Sequence, residues 1–163
     1  MRFMVFMKAD QDSEAGVLPG EELIAAMMQF NEELVKAGVL LGAEGLHPSS
    51  RGARVRFAGG ERTVIDGPFP HPEELVAGFW MIEVGSREEA IDWVERVPNP
   101  GEGNVVIEIR QVFEADDFGD QLTPRAARAG RAHAGESREA GQVAGGARTN
   151  RHQFEETRRC RSR

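Results

Sequence analysis

Arg62-Thr63-Val64-Ile65-Asp66-Gly67-Pro68-Phe69 is the stretch on which the reading of the fold turns. Thr63, Val64 and Ile65 are β-branched and fit a pleated strand. Gly67 is biased toward an extended backbone because the ring of Pro68 crowds it. Pro68 has no N–H to give to a ladder, so the strand ends there. Asp66 therefore stands at a strand end, where its carboxylate accepts local N–H groups as a turn residue or faces a cleft. Upstream, Arg54 and Arg56 alternate with Val55 and Phe57, and Ala58-Gly59-Gly60-Glu61 separates the two runs. That pattern is a β-hairpin with one polar face. Gly59-Gly60 is a turn and no phosphate loop, since neither a lysine nor a helix follows it.

Working outward, each side of the hairpin carries a strand, a helix and a strand. Phe3 to Lys8 reads as a strand with Phe3, Val5 and Met7 on one face and Met4 and Phe6 on the other. Ala9 to Pro19 is a polar loop. Its Asp10, Asp12 and Glu14 lack the glycine and closing glutamate of a calcium loop. Gly20 to Ala37 is a helix, with Leu23, Met27, Phe30 and Leu34 at helical spacing and Gly38 to end it. Met27, Met28 and Phe30 suit core packing or a pocket wall. A second strand begins at Val39 and runs toward His47-Pro48; its glycines permit close approach of a backbone or a ligand. Beyond the hairpin, Ala77 to Val84 is a strand. Ser86 and Glu89 cap a helix running to about Val97. Pro98 to Gly101 is a loop, and Val105 to Val112 is the last strand. The order β-α-β, hairpin, β-α-β predicts an α+β, ferredoxin-like sheet with an inserted hairpin. Two helices cover one face of that sheet. The apolar second face predicts a second copy packed against it, a homodimer of twofold symmetry.

The chain has 163 residues and a net charge of −7, unevenly spread. Residues 1–123 hold 23 acids against 10 Lys and Arg, whereas 124–163 hold 10 Arg against 4 Glu. The acidic body argues against nucleic-acid binding, leaving only the tail suited to a polyanion. Residues 1–123 are expected to form one domain. Residues 124–163, rich in Arg, Ala and Gly and poor in large apolar groups, are expected to be disordered. Cys160, the single cysteine, lies in that tail, so the body has no disulfide and no thiol nucleophile. No secretory signal and no membrane-spanning run is read, and a cytoplasmic protein with no membrane partner is expected.

The candidate chemistry rests on few residues. His47 is the candidate base, histidine being the side-chain type suited to proton transfer; Asp66 is the carboxylate that would orient it. Glu44, Arg54, Arg56 and Phe69 are candidate substrate-binding groups, the arginines as a clamp for a ligand carboxylate. The plainer alternatives are a solvated Glu44, a surface His47 and an ion-paired outer face for the arginines. No cofactor or metal is expected, since His47 and His71 are separated and no cysteine joins them.

Several stretches in order carry a resemblance: Ala43-Glu44-Gly45-Leu46-His47-Pro48-Ser49, Asp66-Gly67-Pro68-Phe69, Ala77-Gly78-Phe79-Trp80, Pro98-Asn99-Pro100 and Ile109-Arg110-Gln111-Val112-Phe113-Glu114. Residues 1–123 resemble the YCII-related family in its DGPF branch. The resemblance implies a dimeric α+β barrel. It also implies an enzymatic setting in which many members carry a histidine and an aspartate near a cleft, one branch being similar to an enzyme that eliminates chloride from a chlorinated muconate. There the histidine comes from the first helix. Here helix 20–37 holds none, with Phe30 and Asn31 at its middle, and His47 stands at a strand end instead. The resemblance further implies an association with extracytoplasmic-function sigma factors. Two functions follow as expectations. One is acid/base chemistry, proton transfer or elimination, on a small carboxylate-bearing molecule. The other is a non-catalytic module that binds a small ligand or works with a sigma factor.

Overall fold

A computed structural model describes residues 1–99 and 105–121. Met1–Asp117 forms one compact unit. The tail expected to be disordered lies outside the described residues, and the loop read at Pro98 to Gly101 is described only through Asn99. In chain order the unit contains β1 (Arg2–Lys8), α1 (Gln11–Glu14), α2 (Glu21–Lys36), β2 (Leu40–Gly45), β3 (Ala53–Ala58), β4 (Glu61–Asp66), β5 (Val76–Glu83), α3 (Arg87–Val94) and β6 (Ile107–Gln111).

Four strands form an antiparallel sheet in the order β2-β5-β1-β6, and β3-β4 forms a separate two-stranded sheet. This is the ferredoxin-like α+β arrangement with its inserted hairpin. The register fixes which side chains share the helix-covered face. Phe3 lies opposite Ile82, Val5 opposite both Trp80 and Ile109, and Ala43 opposite Trp80. Phe3, Val5, Trp80 and Ile82 pack with Phe30 and Leu34 of α2 and Ala90 of α3 to make the core. Full burial of a side chain like Leu34, 1% exposed, stabilises by roughly 2 kcal/mol.

The caps explain the helix limits. At the end of α2 the Gly38 N–H donates to Val35 and the Val39 N–H to Leu34, with Gly38 at φ +73°. These are the paired bonds of a Schellman motif, and Val39 and Leu34 meet in the core as that motif favours. At α3 the Ser86 hydroxyl accepts from the Glu89 N–H, while the Glu89 carboxylate accepts from Gly85 rather than from Ser86 itself. That helix ends at Val94, short of Val97, and β6 is shorter than the run 105–112. The segment 9–19, read as a loop, contains α1. Asp10 and Ser13 cap each other, and the carboxylate takes the Ser13 N–H at 2.7 Å. A reciprocal cap of this kind closes a single turn without any apolar periodicity to announce it.

The second sheet face is half covered. Met4, Phe6, Phe79 and Met81 lie there, opposite one another in register and neither buried nor fully exposed. Lys8 and Arg110 both pair with Glu108 at the edge of this face.

Candidate functional site

The site is built where α2 starts and the sheet opens. Four successive elements and the more distant β5 contribute to it. The end of β1 brings Met7 and Lys8, the segment through α1 to Gly20 forms a strap, α2 supplies Leu23, Met27 and Asn31, and β2 with its following loop supplies Ala43 to Pro48. Together with Ala77 to Trp80 of β5 they line an open cavity of about 760 Å³ whose floor includes Trp80. The glycines of the sequence have a visible role here. Gly45 and Gly78 both line the cavity, and a Cβ on Gly78 would come within 3.0 Å of the Glu44 carbonyl oxygen. The strands approach so closely at that point that a side chain there would press on the Glu44 backbone.

Trp80 is held from two sides. Its ring meets Phe30 edge to face, at 6.1 Å and 87°, and its Nε1–H donates to Asn31 Oδ1 at 2.8 Å. Edge-to-face aromatic pairs add about 1 kcal/mol beyond the area they bury. The strap is fixed by two of its acids. Hydrogen bonds from the Ser13 N–H and then the Ser13 hydroxyl hold the Asp10 carboxyl below the usual carboxylate range, so it is charged at neutral pH. Glu14 accepts the Ser49 N–H at 3.0 and 3.1 Å and pairs with its hydroxyl. Asp10 thus caps α1 and Glu14 anchors the strap.

The sequence-derived candidates divide into two groups. Glu44 and His47 line the cavity. His47 is exposed, in the loop after β2, and Nη1 of Arg51 lies 3.3 Å from Nδ1 and 3.0 Å from Nε2 of its ring. Asp66, Arg54, Arg56 and Phe69 belong to the hairpin and its root and are not among the lining residues. The Arg54 guanidinium stacks on the Phe69 ring at 4.0 Å. Among the described residues Asp66 has neither a side-chain hydrogen bond nor an ion pair, with His47 or with any other group. His71 stands apart at φ +62°, paired with Glu73 at 3.3 Å.

The Asp66-Gly67-Pro68-Phe69 turn has a different, well-defined partner. The Gly67 N–H donates to Gly52, and the Phe69 N–H donates to the Ser49 hydroxyl at 2.9 Å. The Gly67-Pro68 peptide is cis. A Cβ on Gly67 would fall 1.8 Å from the Ser49 carbonyl oxygen, so no other residue fits against that backbone. Ser49 therefore joins the strap, through Glu14, to the root of the hairpin.

The family model for the YCII-related domain matches residues 1–116. The chain belongs to the YCII-related family. It is also similar to an uncharacterised protein of Rhizobium meliloti, 30% identical over 90 residues that span 55% of this chain and 73% of the relative. The matched region of this YCII-related chain contains every element described above through β6. No helix among the described residues is long and apolar enough to cross a membrane.

Sequence reasoning missed Asn31, Trp80 and the strap as site components. Trp80 and Asn31 are 49 positions apart, and nothing in local pattern links them. The small residues of β2 and Met27 of α2 were the usable signals, and both mark the cavity wall.

Proposed function

We propose that this YCII-related protein binds a small molecule in the cavity between α2 and the sheet, with His47 at its rim as the group that exchanges a proton with the ligand. The observation that carries this reading is the cavity itself. About 760 Å³ is the size of a small-molecule site, and the lining combines an apolar floor of Met7, Leu23, Met27 and Trp80 with a polar rim. Among the described residues His47 is the only histidine on that lining, and Glu44 is a carboxylate on the same wall. The rim also carries Asp10 and Asp12, while its cation Lys8 is committed to Glu108. That charge balance disfavours an anionic ligand. The arginines that suggested a carboxylate stand on the hairpin. The reading therefore takes a neutral ligand, and assigns Asp66 to the turn.

The half-covered sheet face supports a second copy as partner. Met4, Phe6, Phe79 and Met81 form a continuous apolar strip with charges at its edge, the pattern of a self-complementary interface.

The test is NMR. Small neutral carbonyl compounds are titrated in, following the Trp80 indole N–H and the His47 ring, and their α-hydrogens are followed in deuterated water. The reading expects joint shifts at Trp80 and His47, and α-hydrogen exchange that disappears in His47→Gln while binding persists. Binding without exchange in the unaltered chain would leave a ligand-binding module with no proton chemistry. Absence of any shift in the cavity would remove the reading.

A further inference from the structure

We infer that Asn31 is the ligand-reading donor of the cavity: its side-chain NH2, oriented by Trp80, hydrogen-bonds the carbonyl oxygen of a small, largely apolar ligand. The inference rests on the cavity being a ligand site, as proposed above, and names the class of ligand it takes. An indole N–H can only donate, so the Asn31 atom 2.8 Å from Trp80 Nε1 must be the carboxamide oxygen. The orientation of this amide is thereby decided by chemistry, and its NH2 lies on the other side.

That NH2 makes no hydrogen bond to any described residue. No side-chain nitrogen or oxygen among the described residues is both fully buried and without a partner. The NH2 is therefore accessible, and the space Asn31 lines is the cavity. Trp80, 7% exposed and locked edge-on by Phe30, gives the amide a rigid anchor. A fixed donor costs little ordering when a ligand arrives. Around it Met7, Leu23 and Met27 offer no competing polar group. A pair of donor hydrogens facing an otherwise apolar floor matches an acceptor oxygen on an apolar body. The acids at the rim make that oxygen a neutral carbonyl rather than a carboxylate.

The experiment uses the full chain, cyclohexanone, and methylenecyclohexane as its isostere without oxygen. Binding is read from chemical shifts of the Trp80 indole N–H and of the Met7 and Met27 methyls. In the unaltered protein the ketone should bind, with the alkene reporting how the same apolar body binds without an acceptor. Asn31→Asp keeps an acceptor for the indole and replaces the donor, so it should weaken the ketone about tenfold and leave the alkene unchanged. Asn31→Ala is the second variant, should a carboxylate on α2 prevent folding, and the same selective loss is expected. Equal ketone affinity in either folded variant and the parent would overturn the inference, leaving Asn31 as a support for Trp80. If neither probe shifts a cavity resonance, the cavity reading falls and takes this inference with it.

Discussion

The molecule contains two antiparallel sheets that obey the same sequence rule and live in different physical conditions. In the four-stranded sheet, alternation sends Phe3, Val5, Trp80 and Ile82 into a core under α2 and α3. In the β3-β4 hairpin, alternation places Val55, Phe57 and Val64 on one face, and every residue of both strands is exposed. A two-stranded ribbon is marginal in water by itself. The hairpin is held by its ends: the Gly59-Gly60 turn, with both glycines at positive φ, and the root where Gly67 and Phe69 meet Ser49. Periodicity therefore announces a strand, and only the neighbouring elements decide whether its apolar face is buried.

Substitutions should expose this contrast in order of size. Leu34→Ala opens a cavity beneath the main sheet and should lower stability by about 3 kcal/mol in urea unfolding. Val64→Ala removes a comparable hydrophobe from the hairpin and should change stability by less than about 0.5 kcal/mol. An equal cost for the two would erase the distinction between the sheets. Gly67→Ala should follow, at about 2 kcal/mol, because backbone and not a flexible side chain stands in the way. Its signature in hydrogen exchange is faster exchange of the β3-β4 amides with the β1 and β5 amides still protected. Ser49→Ala removes one hydroxyl from the same root and should cost about 1 kcal/mol, with exchange quickening at Phe69.

A small and pH-dependent effect belongs to the charges at the start of β1. Arg2 holds Glu114 at 3.0 Å, and its hydrogen bond, ahead of their Coulomb attraction, keeps that carboxyl below its ordinary range. A lowered carboxylate contributes stability above its unfolded-state pKa and loses it as pH falls through the folded one. Glu114→Gln should therefore reduce stability at neutral pH by less than about 1 kcal/mol, since the carboxylate side chain is 44% exposed. The difference from the parent should vanish in acid. A difference that instead grew on acidification would assign Glu114 another partner.

Much of the fold was legible because it is local. Thr63-Val64-Ile65, the Gly59-Gly60 turn, the Ser86 cap and the Gly38 stop each act within a few residues, and the β-α-β order then limits the topology. The α-helix that was missed is α1, because one reciprocal cap in four residues carries no period to detect. The site was less legible. Glu44 and His47 were found on the cavity wall through the small residues of β2, whereas the Asn31–Trp80 bond joins a helix to a strand across the sheet and leaves no trace in either local pattern. Asp66, Arg54, Arg56 and Phe69 stood out as polar or aromatic punctuation around the hairpin, and where they reside could not be told before the hairpin was seen to form its own sheet.

Ser49 has a consequence for how such a sequence can drift. Its hydroxyl serves Glu14 on one side and Phe69 on the other, while its carbonyl lies against Gly67. Changes at these positions are not independent events. Once Ser49 is lost, Glu14 has lost the hydroxyl it pairs with, so a second change at Glu14 does less harm than it would alone. Any backbone shift that relieved a side chain at position 67 would have to move the Ser49 turn with it. The three positions are therefore epistatic, and a lineage that alters one is expected to alter the others.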